Sequence, residues 1–248
     1  MNLNNKKTKN IKPKRRLFLM AAIALLVSCS NEGTKTNEEP LLQVTPPVLS
    51  NTVRIGTQVW MTRNLNVSRY SDGTIIPEVN EQSQWVNLTT GAWCYFASNT
   101  ANGTIYGKLY NWYAVAGIYD AASAANPALR KKLAPDGSHV PSDAEWTTLT
   151  SFLGGESVAG GKMKATGTSL WLSPNTEATN SSGFTGLPGG FRGSLGNFFS
   201  IGTSGYWWSS TEAGTTFSWC RRLNYSASAS FSYDVNRNYG MAVRCVRD

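Results

Sequence analysis

Few residues in this chain could carry covalent, metal or acid–base chemistry, and their spacing narrows the choice. One histidine, His139, and four cysteines, Cys29, Cys94, Cys220 and Cys245, are present. A single imidazole cannot furnish a histidine-rich metal site, which needs several nitrogen donors around one ion. A serine hydrolase relay would have to run through that same ring. His139 stands two residues before Pro141-Ser142, a helix start, where a core or capping role is expected. Glu145, Glu156, Glu177 and Glu212 offer carboxylates, but glycoside cleavage needs two of them facing across a cleft at a set distance. Glu145 reads as a capping residue, and Glu212, in Ser209-Ser-Thr-Glu, as a turn or sheet-edge residue. No glycine-rich loop has the spacing that cradles phosphate. The sequence nominates no catalytic residue, no metal ligand and no cofactor.

What remains is aromatic. Trp207 and Trp208 are adjacent, so on a strand they point to opposite faces and at most one is expected in a core. Trp219 is a third candidate. Exposed Trp stacks on the apolar C–H faces of sugar rings, which makes Trp207, Trp208 and Trp219 the candidate ligand-binding residues. The competing role is packing. Nine Trp and ten Tyr with few long aliphatic runs mean that most rings must fill the interior.

One cysteine has a chemistry of its own. Residues 1–28 open with seven basic groups and no acid, and Leu17 to Val27 is an uninterrupted apolar run of eleven residues. That is a secretory signal, too short to span a bilayer as a helix. It ends in Leu26-Val27-Ser28-Cys29, which resembles the lipobox of bacterial lipoproteins, and the expectation is cleavage before Cys29 and lipidation of its thiol. Residues 29–50, rich in Ser, Asn, Glu, Thr and Pro, read as a disordered tether. The folded domain is expected over 51–248. Ser30 and Asn31 do not look like an inner-membrane retention signal, so the expected location is the outer membrane, with the surface and periplasmic faces both open.

This division changes the meaning of the charge. The chain is +8 overall, but the first 28 residues hold seven of its 23 basic groups and none of its 15 acids. The remainder carries 16 against 15, or +1. A near-neutral domain presents no broad basic field for nucleic acid.

The elements that must position these residues are legible in part. Val53 to Trp60 alternates apolar and polar and predicts a strand. Tyr106, Leu109, Tyr110 and Tyr113 recur at helical spacing and predict one helical face. Ser142-Asp-Ala-Glu145 is a capping box ahead of Trp146, Leu149 and Leu153, with Gly154-Gly155 as the stop. From Gly154 to Gly205 the density of Gly, Ser, Asn and Thr predicts loops. Gly205–Ser210, Phe217–Tyr225, Ser228–Asp234 and Met241–Val246 predict a terminal antiparallel meander.

Several motifs in order carry a resemblance. Val53-Arg-Ile-Gly-Thr-Gln-Val-Trp60-Met61 with Arg63-Asn64-Leu65 begins it, and Tyr106-Gly-Lys-Leu-Tyr-Asn-Trp112-Tyr continues it. His139-Val-Pro-Ser-Asp-Ala-Glu-Trp146, Gly161-Lys-Met-Lys-Ala and Phe184-Thr-Gly-Leu-Pro-Gly-Gly190-Phe-Arg192 follow. Tyr206-Trp-Trp-Ser-Ser-Thr-Glu212 and Val243-Arg-Cys-Val-Arg-Asp248 complete it. Together they resemble the Fibrobacter succinogenes major paralogous domain, a family of surface and secreted bacterial proteins without an established biochemical function. Val140-Pro-Ser-Asp-Ala-Glu-Trp146 and the ending at Gly240 to Val246 are also similar to the formylglycine-generating enzyme superfamily. That second resemblance implies an α+β, C-type-lectin-like fold: two helices, a twisted antiparallel sheet and long loops. The chemistry it implies needs two thiols a few residues apart on one copper ion. Cys220 stands in a similar segment, but Arg221 to Ser226 contains no second cysteine. The calcium-binding lectin motifs do not occur.

The resemblance to the first family also implies a cysteine where this chain has Ala134, which removes a partner for Cys245. An exported domain permits disulfides. Cys220 and Cys245 fall in the same predicted meander and are the favoured pair, with Cys94–Cys245 as the rival. The reading that results is a lipid-anchored, non-enzymatic module that binds a glycan or another surface macromolecule. A structural or adhesive envelope scaffold and an unrecognised hydrolase are the alternatives.

Overall fold

The computed structural model describes residues 51–248; Cys29, the signal and the tether lie outside the described residues. Among the described residues no helix is long and apolar enough to cross a membrane.

The chain enters as a hairpin rather than the single strand expected for Val53–Trp60. Gly56, at φ 60°, turns β1 (Thr52–Ile55) into β2 (Gln58–Met61), and Ile55 pairs with Gln58. Next come α1 (Gln82–Trp85), β3 (Trp93–Cys94), α2 (Thr100–Tyr106), β4 (Leu109–Tyr110), α3 (Trp112–Val115) and α4 (Ala121–Ala125). The helical face expected at Tyr106, Leu109, Tyr110 and Tyr113 does not form. Gly107, at φ 76°, caps α2, and Leu109–Tyr110 pairs instead with Trp93–Cys94. A left-handed glycine is a helix stop, and it overrides the spacing.

After β5 (Ser138–His139) the capping box forms as expected at the start of α5 (Asp143–Phe152). Glu145 N donates to Ser142 Oγ at 3.3 Å, and Ser142 N donates back to Glu145 Oε2 at 2.8 Å. Trp146, Leu149 and Leu153 are buried, and Gly154 and Gly155, at φ 100° and 98°, end the helix. A further helix, α6 (Glu156–Met163), occupies what the composition predicted as loop. Its Gly160 and Gly161 mislead: a Cβ there would lie 2.2 Å from Ala229 O and 2.5 Å from Glu177 O. These glycines admit neighbouring backbone rather than break the helix.

Strands β6 (Gly189–Arg192), β7 (Phe198–Ile201), β8 (Ser204–Glu212), β9 (Phe217–Asn224) and β10 (Ser230–Asn236) form a sheet in the order β10-β9-β8-β6-β7. All its pairs are antiparallel except β6–β8. The meander holds for β8, β9 and β10 but not for its expected fourth member. Met241 bridges Tyr110, Ala242 bridges Trp207 in parallel, and β11 (Val246–Arg247) joins the second sheet, β1-β2-β11-β5. The architecture is α+β.

Strand β8 runs between two cores. Trp207 packs with Trp60, Trp146 and Phe184 beneath α5 and the second sheet; its ring centroid is 5.7 Å from that of Phe184. Trp208 points the other way, among Tyr110, Trp112, Met241 and Val243. Both are fully buried, which corrects the expectation that at most one could be core. Opposite faces do imply one exposed ring when a sheet is covered on one side only. Here both sides are covered.

The cysteine pairing is corrected as well. Cys94, Cys220 and Cys245 are all free, buried thiols. Cys220 lies opposite Trp208 in the large sheet, whereas the Cys245 carbonyl accepts from Met61 N at 3.0 Å beside β2. The fourth strand that would have placed Cys245 in one meander with Cys220 does not join it.

Loops are tied by buried cations. Arg192 lies between the rings of Trp85 and Phe198 and donates to the carbonyls of Val79, Asn80 and Gly196. Lys164 Nζ donates to Thr176, Asn224 and Ala227 carbonyls at 2.8–3.0 Å. Arg244 donates to Met61 O, Phe184 O and Asn64 Oδ1 with its guanidinium on the Phe184 ring. None of the three forms an ion pair among the described residues. A cation satisfied by several carbonyls can sit in a dry interior without a carboxylate, provided its donors are used.

Candidate functional site: an aromatic row across the large sheet

Alternation along each strand assembles a row of rings on one face of the five-stranded sheet. On β10, Phe231, Tyr233 and Val235 alternate with Ser232, Asp234 and Asn236, which places the first three together. In register, Phe231 lies opposite Arg222 and Arg222 opposite Tyr206. Gly190 pairs in parallel with Gly205, so Phe191 follows beside Tyr206, and Phe191 lies opposite Phe199. The sequence Phe199–Phe191–Tyr206–Arg222–Phe231 thus crosses all five strands, about 19 Å at ordinary strand spacing.

The rings touch. Phe191 stacks on Phe199 at 5.4 Å and on Tyr239 at 5.6 Å, and meets Tyr206 edge-on at 4.8 Å. Phe231 stacks on Tyr233 at 6.2 Å. The Arg222 guanidinium lies 5.8 Å from the Tyr206 ring centre and 5.7 Å from that of Phe231. Phe199 is 47% exposed and Tyr233 39% exposed, with the other rings half-buried. A shallow depression of about 190 Å³, bounded by Phe191, Tyr206, Arg222, Tyr233 and Tyr239, opens among them. Burial raises the Tyr206 hydroxyl, which keeps it a neutral donor and acceptor.

Glycine makes the row continuous. Gly190 has φ 65°, and a Cβ there would lie 2.3 Å from Phe199 O. Any larger residue would push β7 off β6 and separate Phe191 from Phe199. Arg192, tied to Gly196 O, fixes the turn that returns β7. The segment Gly190-Phe191-Arg192 therefore supplies a close approach, a ring and an anchor in three consecutive residues.

The three Trp residues nominated from sequence are not in this row. Trp207 and Trp208 are core. Trp219 is half-buried on the opposite face, since it alternates with Cys220 and Arg222. Sequence reasoning missed Phe191, Phe199, Tyr206, Arg222, Phe231, Tyr233 and Tyr239. The signal that could have found part of the row is the alternation Phe231, Tyr233, Val235.

His139 forms a different arrangement. Its Nδ1 lies 2.7 Å from Asp248 Oδ1 and its Nε2 2.7 Å from Glu145 Oε1. Ser142 Oγ donates to Glu145 Oε2 and not to the imidazole, so no nucleophile faces a base. Burial pulls the imidazole down, but hydrogen bonds to Asp248 and Glu145 outweigh it and its pKa is raised above 6.5. Burial pushes Glu145 up, yet Ser142 N–H and His139 hold it below 4.5; His139 holds Asp248 below 3.8. A raised base contributes stability below its unfolded value and loses it as pH rises through the folded value. The lowered acids contribute above their unfolded values and lose it as pH falls through the folded ones. The clasp is therefore fully formed between pH 4.5 and 6.5. We expect the thermal midpoints of wild type and His139→Gln to differ most in that window and to converge as pH rises above it. A difference independent of pH would show that the ring acts by packing alone.

A cleft of about 900 Å³ lies between the β1–β2 turn and the ends of α5 and α6, lined by Arg54, Phe152 and Lys162 among others. Lys162 is already committed to Leu153 O at 2.7 Å, and no acid lines the cleft. Among the described residues no group of three His, Cys, Asp or Glu is arranged to hold a metal ion.

An α+β domain with five-, four- and two-stranded sheets and an aromatic face on the largest defines the class. The Fibrobacter succinogenes major domain model matches residues 53–247, and the chain belongs to that family. No curated protein and no solved structure matches the chain.

Proposed function

We propose that this chain is a non-enzymatic, lipid-anchored binding module of the outer membrane, and that it binds a surface glycan along the Phe199–Phe231 row. The observation that carries the reading is the row itself: contacting rings left open at a surface. Sugar rings offer flat C–H faces to such rings, and Tyr233 and Tyr239 on the rim of the depression carry hydroxyls for their polar edges. Its length suits a chain of several sugars better than one. No acid lines the depression, so glycoside cleavage would lack its proton donor there. The Cys220 thiol beneath it, pushed up to about 12 by burial, stays protonated and unreactive. A C-type-lectin-like fold is part of the proposal. It is supported by two adjacent helices, α5 and α6, packed beside an antiparallel meander with long loops.

The test is a glycan array and titration with residues 51–248 of wild type, Phe199→Ala and Tyr233→Ala. Each variant is expected to weaken binding by about 1–3 kcal/mol while moving the thermal midpoint little, since both rings are exposed. Unchanged affinity in both variants would refute the assignment. Dimerisation through this face, abolished by the same changes, would reassign it to a second copy of the chain and favour the scaffold reading.

A further inference from the structure

The row contains one residue that stacking does not require. Arg222 interrupts the aromatics at the centre of the sheet, between Tyr206 on β8 and Phe231 on β10. Every other buried or half-buried guanidinium has at least one terminal nitrogen engaged by an oxygen, including Arg130, which lies 3.6 Å from Glu212 Oε1. Arg192 and Arg244 each satisfy several carbonyl or amide oxygens, Arg221 pairs with Asp143, and Arg237 pairs with Glu212. Arg222 donates only from Nε, to Ser204 Oγ at 3.3 Å. Its two terminal nitrogens have no partner among the described residues, and it forms no ion pair there. Asp234, the acid nearest in sequence on β10, alternates with Tyr233 and lies on the other face. The charge thus sits on the binding face between the rings of Tyr206 and Phe231, with its two terminal nitrogens uncommitted.

A guanidinium fork matches the two oxygens of a carboxylate, and the Nε bond to Ser204 Oγ with a ring on either side restricts where the fork can go. We infer that the ligand is an acidic polysaccharide, a uronate-containing chain, with one sugar carboxylate seated on Arg222 Nη1 and Nη2 while neighbouring sugar faces lie on Phe191, Tyr206 and Phe231. This rests on the glycan reading above and adds the class of sugar. A single-stranded nucleic acid would also stack, but it carries a phosphate at every step, and the row offers one cation for its whole length.

The experiment pairs charged and uncharged forms of the same backbones. Polygalacturonate, alginate and a β-1,4-glucuronan are titrated against residues 51–248, each beside its carboxyl-reduced counterpart. Poly(dT) serves as the nucleic-acid probe, and Arg222→Gln, Arg222→Lys and Phe199→Ala as variants. Wild type is expected to prefer at least one uronan over its reduced form by about tenfold, as a charge-assisted pair provides. Arg222→Gln should bring the two forms to near parity while leaving the reduced form bound as before. Arg222→Lys, a point charge without a fork, should recover only part of the preference. Phe199→Ala should weaken both forms alike. Equal binding of charged and reduced forms by wild type, or a preference that survives Arg222→Gln, overturns the acidic-sugar inference and leaves the glycan reading standing. Binding to none of the six polysaccharides, or tighter binding to poly(dT), overturns both.

Discussion

Trp208→Ala is expected to destabilise the domain by about 3–5 kcal/mol, the usual cost of emptying a large aromatic site in a core. The ring is fully buried, its Nε1 donates to Tyr110 O at 2.8 Å, and it belongs to one core with Trp112, Met241 and Val243. Trp207→Ala should cost a similar amount by removing the ring beneath Phe184 and the donor to Asn64 Oδ1. Urea denaturation with circular dichroism measures both. A loss below about 1 kcal/mol for either, with reduced ligand affinity, would return that ring to the binding surface. The comparison with Phe199→Ala separates core rings from platform rings on one scale.

Arg244→Met is the second large effect. The side chain donates to Met61 O, Phe184 O and twice to Asn64 Oδ1, and so joins β2, the loop before β6 and the start of β11. Methionine keeps much of the volume and the contact with the Phe184 ring, but leaves two carbonyls without that donor. Burying polar groups without partners costs about 1–3 kcal/mol each, so a total of about 3 kcal/mol is expected. Arg244→Lys should recover little, because one ammonium cannot span three acceptors on separate segments. Denaturation midpoints with unchanged cooperativity would measure it. A negligible loss in the methionine variant would show that water or other groups satisfy these oxygens.

These buried residues also show which parts of the fold could be read in advance. The capping box at Ser142 and Glu145 is local, since the residues that satisfy each other stand three apart, and the sequence displays it whole. The strands of the meander were legible for the same reason: alternation is written within each strand. Partner choice was not. Nothing within Met241–Val246 reveals that it leaves β10, bridges Tyr110 and Trp207, and brings only Val246 between β2 and β5, because the competing pairings differ only in what lies across from them. Helix α6 was hidden by glycines whose purpose is contact with residues 177 and 229, far along the chain. The candidate site was illegible for a related reason. Adjacent tryptophans attract attention, yet the row takes its members from five strands and acquires meaning only through register. Phe191 and Phe199 are eight positions apart in sequence and opposite one another in space.

The distribution of indoles has an optical consequence. Eight of the nine tryptophans are buried, and the ninth, Trp219, lies on the face away from the row, whose rings are all Phe and Tyr. Indole emission from this domain is therefore a gauge of whether the chain is folded and a poor gauge of whether the row is occupied. Phenol absorbance carries the second message, through Tyr206, Tyr233 and Tyr239. Folding and occupancy are written in different chromophores of one small protein, so the two can be followed at once without a label.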